Sequence, residues 1–128
     1  MLSYVTVGSN DLVKAKEFFD FVLMPLNIRS QKPKPTAINY KSEDTGFSLP
    51  TLSVVTPYNQ LSATAGNGTM IVLAARSRDQ VFAVHAAAVE RGGVSEGAPG
   101  LREQYGSDYF GAYFRDLDGN KFGVLCRS

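Results

Sequence analysis

The chain has very few of the side chains that build disulfides and metal clusters. Its 128 residues include one cysteine, Cys126, one histidine, His85, and no tryptophan. A single cysteine excludes an internal disulfide and a cysteine-rich zinc site, and it fits a reducing compartment, so we expect a cytoplasmic protein. Residues 1–4 show no basic segment leading into an apolar stretch, so no secretory signal is predicted.

An excess of charge of either sign is also lacking. Thirteen Lys plus Arg against twelve Asp plus Glu give a formal net charge of +1, with no block of basic residues. Nucleic acid is therefore not an expected partner. Residues 45–75 carry no charged side chain, but prolines, glycines and amides interrupt this run. We therefore expect strands and a loop there, and no membrane partner.

The chain does contain enough apolar residues for a core. Apolar residues make up 44% of the sequence and charged residues 20%, a balance typical of globular proteins and unlike that of disordered chains. At this length we expect a single domain over residues 1–128.

Hydrophobic periodicity predicts the same order of elements twice. One predicted helix is capped by Asn10 or Asp11 and ends before Pro25, and another is capped by Ser77 and ends at Gly92. Alternating segments predict strands, with each helix following the first strand of its half. The predicted strands cover residues 3–9, 28–30, 37–41, 49–55, 69–75, 93–96, 109–115 and 121–126.

The repeated order predicts a duplicated module rather than a short solenoid repeat. Residues 1–57 form the first predicted module, residues 58–67 a linker loop and residues 68–128 the second module. Each half is too small for a good core of its own, so we expect the two sheets to join.

Four segments together resemble one known superfamily along nearly the whole chain. They are YVTVGSNDL at residues 4–12, GTMIV at 68–72, GAPGLR at 97–102 and FRDLDGNKF at 114–122. They resemble the glyoxalase, bleomycin-resistance and extradiol-dioxygenase proteins, or vicinal oxygen chelate superfamily. The resemblance implies an α+β fold in which two βαβββ modules form an open, curved mixed sheet. It also implies helices on the convex face, a ligand cleft on the concave face and a homodimer.

The resemblance also implies a metal site, but this sequence departs from that pattern. Most members hold a divalent metal with a His on the first strand, a His on the second module's first strand and a Glu on the last strand. The corresponding residues here are Tyr4, Met70 and Gly123. A phenol and a thioether are poor ligands for such ions, and glycine has no side chain. We therefore expect no metal and no cofactor, and catalytic residues stay unassigned.

Other residues with catalytic or metal-binding chemistry have simpler structural interpretations. His85 is expected on the apolar face of the second helix, away from the cleft. Asp116 and Asp118 lack the further ligands of a calcium loop and predict a hairpin turn. Cys126 is expected to be a small buried apolar residue.

A cluster of aromatic residues is the strongest remaining functional pattern. Tyr105, Tyr109 and Tyr113 lie close in sequence to Arg102, and Tyr4 and Tyr40 are candidates for the same cleft. Such a lining suits an aromatic or anionic small ligand, although packing in the core is an equally good explanation for Tyr105, Tyr109 and Tyr113. The predicted ligand-binding residues are Tyr4, Met70, Arg102, Tyr105, Tyr109, Tyr113 and Gly123, where glycine is expected to leave extra room.

Three functions are compatible with this pattern. The first is metal-independent binding of a small organic molecule in the concave cleft. The second is an enzyme: a metal-dependent lyase or dioxygenase with substitute ligands, or a metal-free isomerase-like catalyst with Tyr4 or another tyrosine as acid. The third is an interaction module without a ligand.

Overall fold

The computed structural model describes residues 2–44 and 50–127. It contains two α-helices, α1 (Leu12–Val22) and α2 (Arg78–Glu90), in those residues. Leu49, at the start of one predicted strand, lies outside the described residues. The strands are β1 (Val5–Gly8), β2 (Ile28–Ser30), β3 (Ala37–Ser42), β4 (Leu52–Val55), β5 (Ile71–Ala74), β6 (Val94–Leu101), β7 (Tyr109–Arg115) and β8 (Lys121–Arg127).

The strands form two four-stranded sheets with the same topology. The order is β1-β4-β3-β2 in the first sheet and β5-β8-β7-β6 in the second. In the first sheet β1 runs parallel to β4, and in the second β5 runs parallel to β8. All other neighbouring strands are antiparallel. This arrangement confirms the predicted α+β fold of two βαβββ modules.

Both helices begin at the predicted caps. The Asp11 carboxylate accepts a hydrogen bond from the Lys14 backbone N–H at 3.1 Å, and the Ser77 hydroxyl accepts one from the Gln80 N–H at 3.2 Å. These bonds satisfy N–H groups that have no partner within the helix. Beyond the end of α2, Gly92 has a φ of 96°, a left-handed conformation that favours glycine.

The two modules share one core, although their strands form two separate sheets rather than the joined sheets expected from their small size. The Phe18 ring of α1 lies 6.4 Å from the Phe114 ring of β7, and the Phe19 ring lies 5.4 Å from the Phe122 ring of β8. Helix α1 of the first module therefore packs against strands of the second. Cys126 is buried in the same core at 2% exposure, as predicted.

The prediction for strand β6 was wrong in length. The sequence indicated a strand over residues 93–96, whereas β6 runs from Val94 to Leu101. Gly97, Pro99 and Gly100 gave this segment the composition of a loop. It remains in the sheet because β6 is an edge strand, where proline is tolerated, and because its pairing with β7 shifts register twice.

The turn between β7 and β8 fastens the second module to the end of β1. The buried Asp116 carboxylate accepts hydrogen bonds from the backbone N–H groups of Asp118 and Asn120. The Asn120 side-chain amide donates to the Gly8 carbonyl at 3.0 Å and to Asp116 Oδ2 at 2.8 Å. The predicted hairpin turn is confirmed, and it also joins the two modules.

In the described part of the chain, neither helix has the length and apolar character needed to cross a membrane.

Candidate functional site

The face of the second sheet opposite the core carries an open cavity of about 790 Å³. Alternation along β7 and β8 buries one set of side chains in the core and leaves the other set on this face. Five of the predicted ligand-binding residues line the cavity: Met70, Arg102, Tyr105, Tyr109 and Tyr113. The structure therefore brings together the residues of the sequence-derived aromatic cluster.

The ring of Tyr113 forms part of the surface beneath this cavity. Its neighbours across the sheet are Gly97 on β6 and Gly123 on β8. A Cβ atom placed on Gly123 would lie 3.0 Å from Cδ1 and Cε1 of Tyr113, and one on Gly97 would lie 3.1 Å from Cδ2. The ring thus lies across two positions that lack side chains.

This packing corrects the expectation that Gly123 leaves extra room for a ligand. The space above Gly123 is filled by the Tyr113 ring. Because the last-strand carboxylate ligand of the superfamily would stand at this position, Tyr113 occupies part of the volume that such a carboxylate would need.

The tyrosines form a connected group. The hydroxyl oxygens of Tyr109 and Tyr113 lie 3.0 Å apart, within hydrogen-bond distance, and the rings of Tyr105 and Tyr109 have centroids 5.3 Å apart. Burial, assisted by the hydrogen bond to Tyr109, raises the pKa of Tyr113 to about 12. The Tyr113 phenol is therefore protonated at neutral pH.

Three cations surround these rings. The Arg102 guanidinium carbon lies 5.5 Å and the Lys121 ammonium 5.8 Å from the centroid of Tyr113, and the Arg127 guanidinium carbon lies 5.4 Å from that of Tyr109. These distances are within the range of attraction between a cation and an aromatic face. Lys121 and Arg127 were not among the predicted ligand-binding residues, although alternation along β8 places both on the same face as Gly123.

Tyr4 lies outside this cavity. It is 60% exposed and borders a separate groove of about 480 Å³, which lies between the β1 and β5 edges and is lined by Leu2, Ile71 and Val72 among others. Tyr4 and Met70 correspond to the two His ligands of the superfamily's metal site. In this protein they therefore line different cavities.

The suggestion that Tyr40 adds to the cleft is wrong. Tyr40 is completely buried on the core face of β3, and its hydroxyl donates a hydrogen bond to Asp20 Oδ1 at 2.9 Å. Burial and the Asp20 carboxylate raise the pKa of this phenol well above its usual range. Alternation along β3 places Ile38 and Tyr40 together on the face that packs against α1.

The side chains present do not fit the metal site that the superfamily implies. Among residues 2–44 and 50–127, no three His, Cys, Asp or Glu side chains lie close enough to hold an ion. His85 lies on α2, away from the lining of the cavity, with Nε2 2.9 Å from the Ser95 hydroxyl. Partial burial lowers its pKa, so the imidazole is neutral at pH 7.

The paired βαβββ modules define the fold of the vicinal oxygen chelate superfamily, and solved structures match the chain over nearly its whole length. A glyoxalase/bleomycin resistance protein from Albidiferax ferrireducens T118 is 38% identical, with 98% of each chain covered and a TM-score of 0.87. The chain belongs to the glyoxalase/bleomycin resistance protein family.

More distant structures share the fold. A glyoxalase/bleomycin resistance protein/dioxygenase family enzyme from Burkholderia phytofirmans PsJN is 18% identical, with 99% of this chain and 98% of that chain covered and a TM-score of 0.74. The fosfomycin resistance protein FosX from Listeria monocytogenes is 15% identical, with 100% and 93% covered and a TM-score of 0.69. A scan of protein-family models and a search of curated proteins found no match.

Proposed function

We propose that the protein binds a small organic ligand in the cavity above Tyr113, without a divalent metal held by its side chains. The observation that carries this proposal is the packing of Tyr113 over Gly123, together with the grouping of Met70, Arg102 and two further tyrosines around the same space. Where the superfamily's carboxylate ligand would stand, this chain has an aromatic surface.

The chemistry of the lining supports an organic ligand. The volume of about 790 Å³ lies within the usual range for small-molecule sites. Tyrosine rings and the Met70 thioether supply apolar contact, and the phenol hydroxyls supply orientation. The names of similar structures, which refer to resistance to bleomycin and fosfomycin, are consistent with this class of ligand.

A thermal-shift screen of metabolites and antibiotics tests the proposal. The protein is purified without chelators, its metal content is measured, and the screen is run with EDTA and again with added divalent ions. We expect at least one compound to raise the unfolding temperature equally in both conditions, because a ligand that binds only the native state stabilises it. Tyr105→Ala should reduce that shift.

Tyr58→Ala is the matched control, because Tyr58 is fully exposed and lies outside the cavity. It should leave the shift unchanged. The proposal fails if every stabilising compound requires Fe, Mn, Ni or Zn, or if no compound in the screen stabilises the protein.

A further inference from the structure

The charges around the cavity are unbalanced in favour of cations. Arg102, Lys121 and Arg127 line it, and Glu96 is its one carboxylate among the described residues. Glu96 accepts a hydrogen bond from Arg115 at 2.6 Å, and this bond, with a smaller effect from nearby Lys121, lowers the pKa of Glu96. The carboxylate is thus ionised and already paired with a cation.

Two of the three cations have no carboxylate partner. Arg127 pairs with Asp108 at 3.3 Å. Within residues 2–44 and 50–127, neither Arg102 nor Lys121 forms an ion pair. Both approach the same aromatic ring, that of Tyr113, so two positive charges outside any ion pair converge on one part of the cavity.

Arg102 is held in place by the backbone around it. Its Nη2 donates to the Ala98 carbonyl at 2.7 Å and its Nη1 to the Leu101 carbonyl at 3.5 Å. A Cβ atom on Gly97 would lie 3.1 Å from Nη2, and one on Gly100 would lie 3.2 Å from Nη1. Glycine at both positions lets the guanidinium lie against β6. These two bonds use two of its five N–H groups, leaving three for a ligand.

The phenols add a hydrogen-bond donor. Tyr109 and Tyr113 carry two hydroxyl hydrogens, and only one is needed for the bond between them. The second can point to a ligand oxygen. An oxyanion is therefore a better match for this part of the cavity than a neutral or cationic group, because the lining offers N–H and O–H donors and positive charge.

From this arrangement we infer that the ligand is an organic anion whose oxyanion group binds between Arg102 and Lys121 and whose apolar body lies against the rings of Tyr105 and Tyr109. The inference rests on the proposed function, because it names the ligand class of the same cavity. The rings and Met70 favour a planar aromatic body over a bare inorganic anion.

A pair of matched probes tests the sign of the ligand charge. Naphthalene-2-carboxylate and naphthalene-2-carboxamide have similar shape, and their binding is measured by chemical-shift titration of the ¹⁵N-labelled protein in EDTA. We expect the carboxylate to bind at least about tenfold more tightly, because charge-assisted hydrogen bonds are stronger than neutral ones. Added NaCl should weaken carboxylate binding and leave carboxamide binding unchanged.

The double variant Arg102→Gln/Lys121→Gln should abolish the preference for the carboxylate. Arg29→Gln/Lys32→Gln is the control, because it removes the same charge from exposed positions outside this cavity. The salt titration uses the unaltered protein, so the test does not depend on the variants folding.

Each outcome has a definite meaning. Equal binding of the two probes, binding of neither, or a preference that survives in the double variant overturns the anion inference. If inorganic phosphate competes as well as the carboxylate does, the inference that the ligand has an aromatic body is wrong. A neutral compound that raises the unfolding temperature in the metal-free screen would then still support the proposed function, so the two failures are distinguishable.

Discussion

At the scale of single residues, the contact between Tyr113 and Gly123 decides what the site can be. Strand pairing places Tyr113 between glycines on β6 and β8, and its ring covers both. A position that supplies a metal ligand in most of the superfamily thus becomes part of an aromatic surface. The sequence predicted the missing carboxylate, but only the cross-strand register identified the side chain that fills its place.

Gly123→Ala should destabilise the protein through its contact with Tyr113. The new Cβ would lie 3.0 Å from two ring atoms, and crowding of this kind costs roughly 1–3 kcal/mol. We expect the cost to shrink markedly in a Tyr113→Ala background. Chemical denaturation of the wild type, both single variants and the double variant measures this coupling; additive effects would contradict the described packing.

Tyr113 also predicts a pH dependence of stability. Its pKa in the folded state is raised to about 12 from an ordinary value of 10.0, so the folded state retains a proton that the unfolded state loses in this interval. The free energy of unfolding should therefore fall as pH rises from about 10 to about 12. Tyr40 adds to this loss because its pKa is also raised.

Tyr113→Phe should reduce this alkaline loss without removing the Tyr40 contribution. Unfolding temperatures of the two proteins, compared at intervals across that pH range, give the difference in slope. Parallel curves for wild type and variant would show that Tyr113 titrates normally.

At the scale of elements, the sequence predicted where strands begin and end better than it predicted which elements each strand packs against. The bounds of β7 matched because Phe110, Ala112 and Phe114 are buried in the core while Tyr109, Tyr113 and Arg115 are only partly buried, a pattern typical of a strand. The end of β6 did not, because its glycines and proline are typical of a loop and the register shifts that accommodate them depend on β7. Tyr40 was misplaced because the short strands of the first module gave no sign of which face packs against α1.

The turn between β7 and β8 is predicted to stabilise the contact between modules. Asn120→Ala removes the hydrogen bonds to Gly8 and Asp116 and leaves buried polar groups without partners. We expect a loss of about 1–3 kcal/mol in the free energy of unfolding, measured by chemical denaturation. Asn67→Ala, in an exposed loop, should change the free energy of unfolding little. If both substitutions reduced it equally, the turn would not stabilise the contact between the modules.

At the scale of the whole molecule, the duplication and the shared core followed from the sequence, but the relation between the two sheets did not. Tyr4, Met70 and Gly123 were expected on one concave surface. Instead, β1 and β5 belong to separate sheets. Tyr4 lines the groove between their edges, and Met70 lines the larger cavity. The divergence of two sheet edges depends on packing across modules, which local periodicity does not encode.

The same groove is relevant to assembly. Leu2, Tyr4 and Val72 are large apolar residues with exposed side chains that line this groove. We propose that the protein forms a homodimer, as the family resemblance led us to expect. Light scattering coupled to gel filtration should give the mass of two chains, and a mass of one chain across micromolar concentrations would contradict it.

A crystal structure of the protein with the tightest ligand from the screen, grown in EDTA, would show whether an organic anion occupies the space above Tyr113 without a metal ion. We expect ligand density above the Tyr113 ring, with its anionic group in contact with Arg102 and Lys121. Density in the Tyr4 groove alone, or an ion bound by protein atoms beside Tyr4, Met70 and Gly123, would contradict the account.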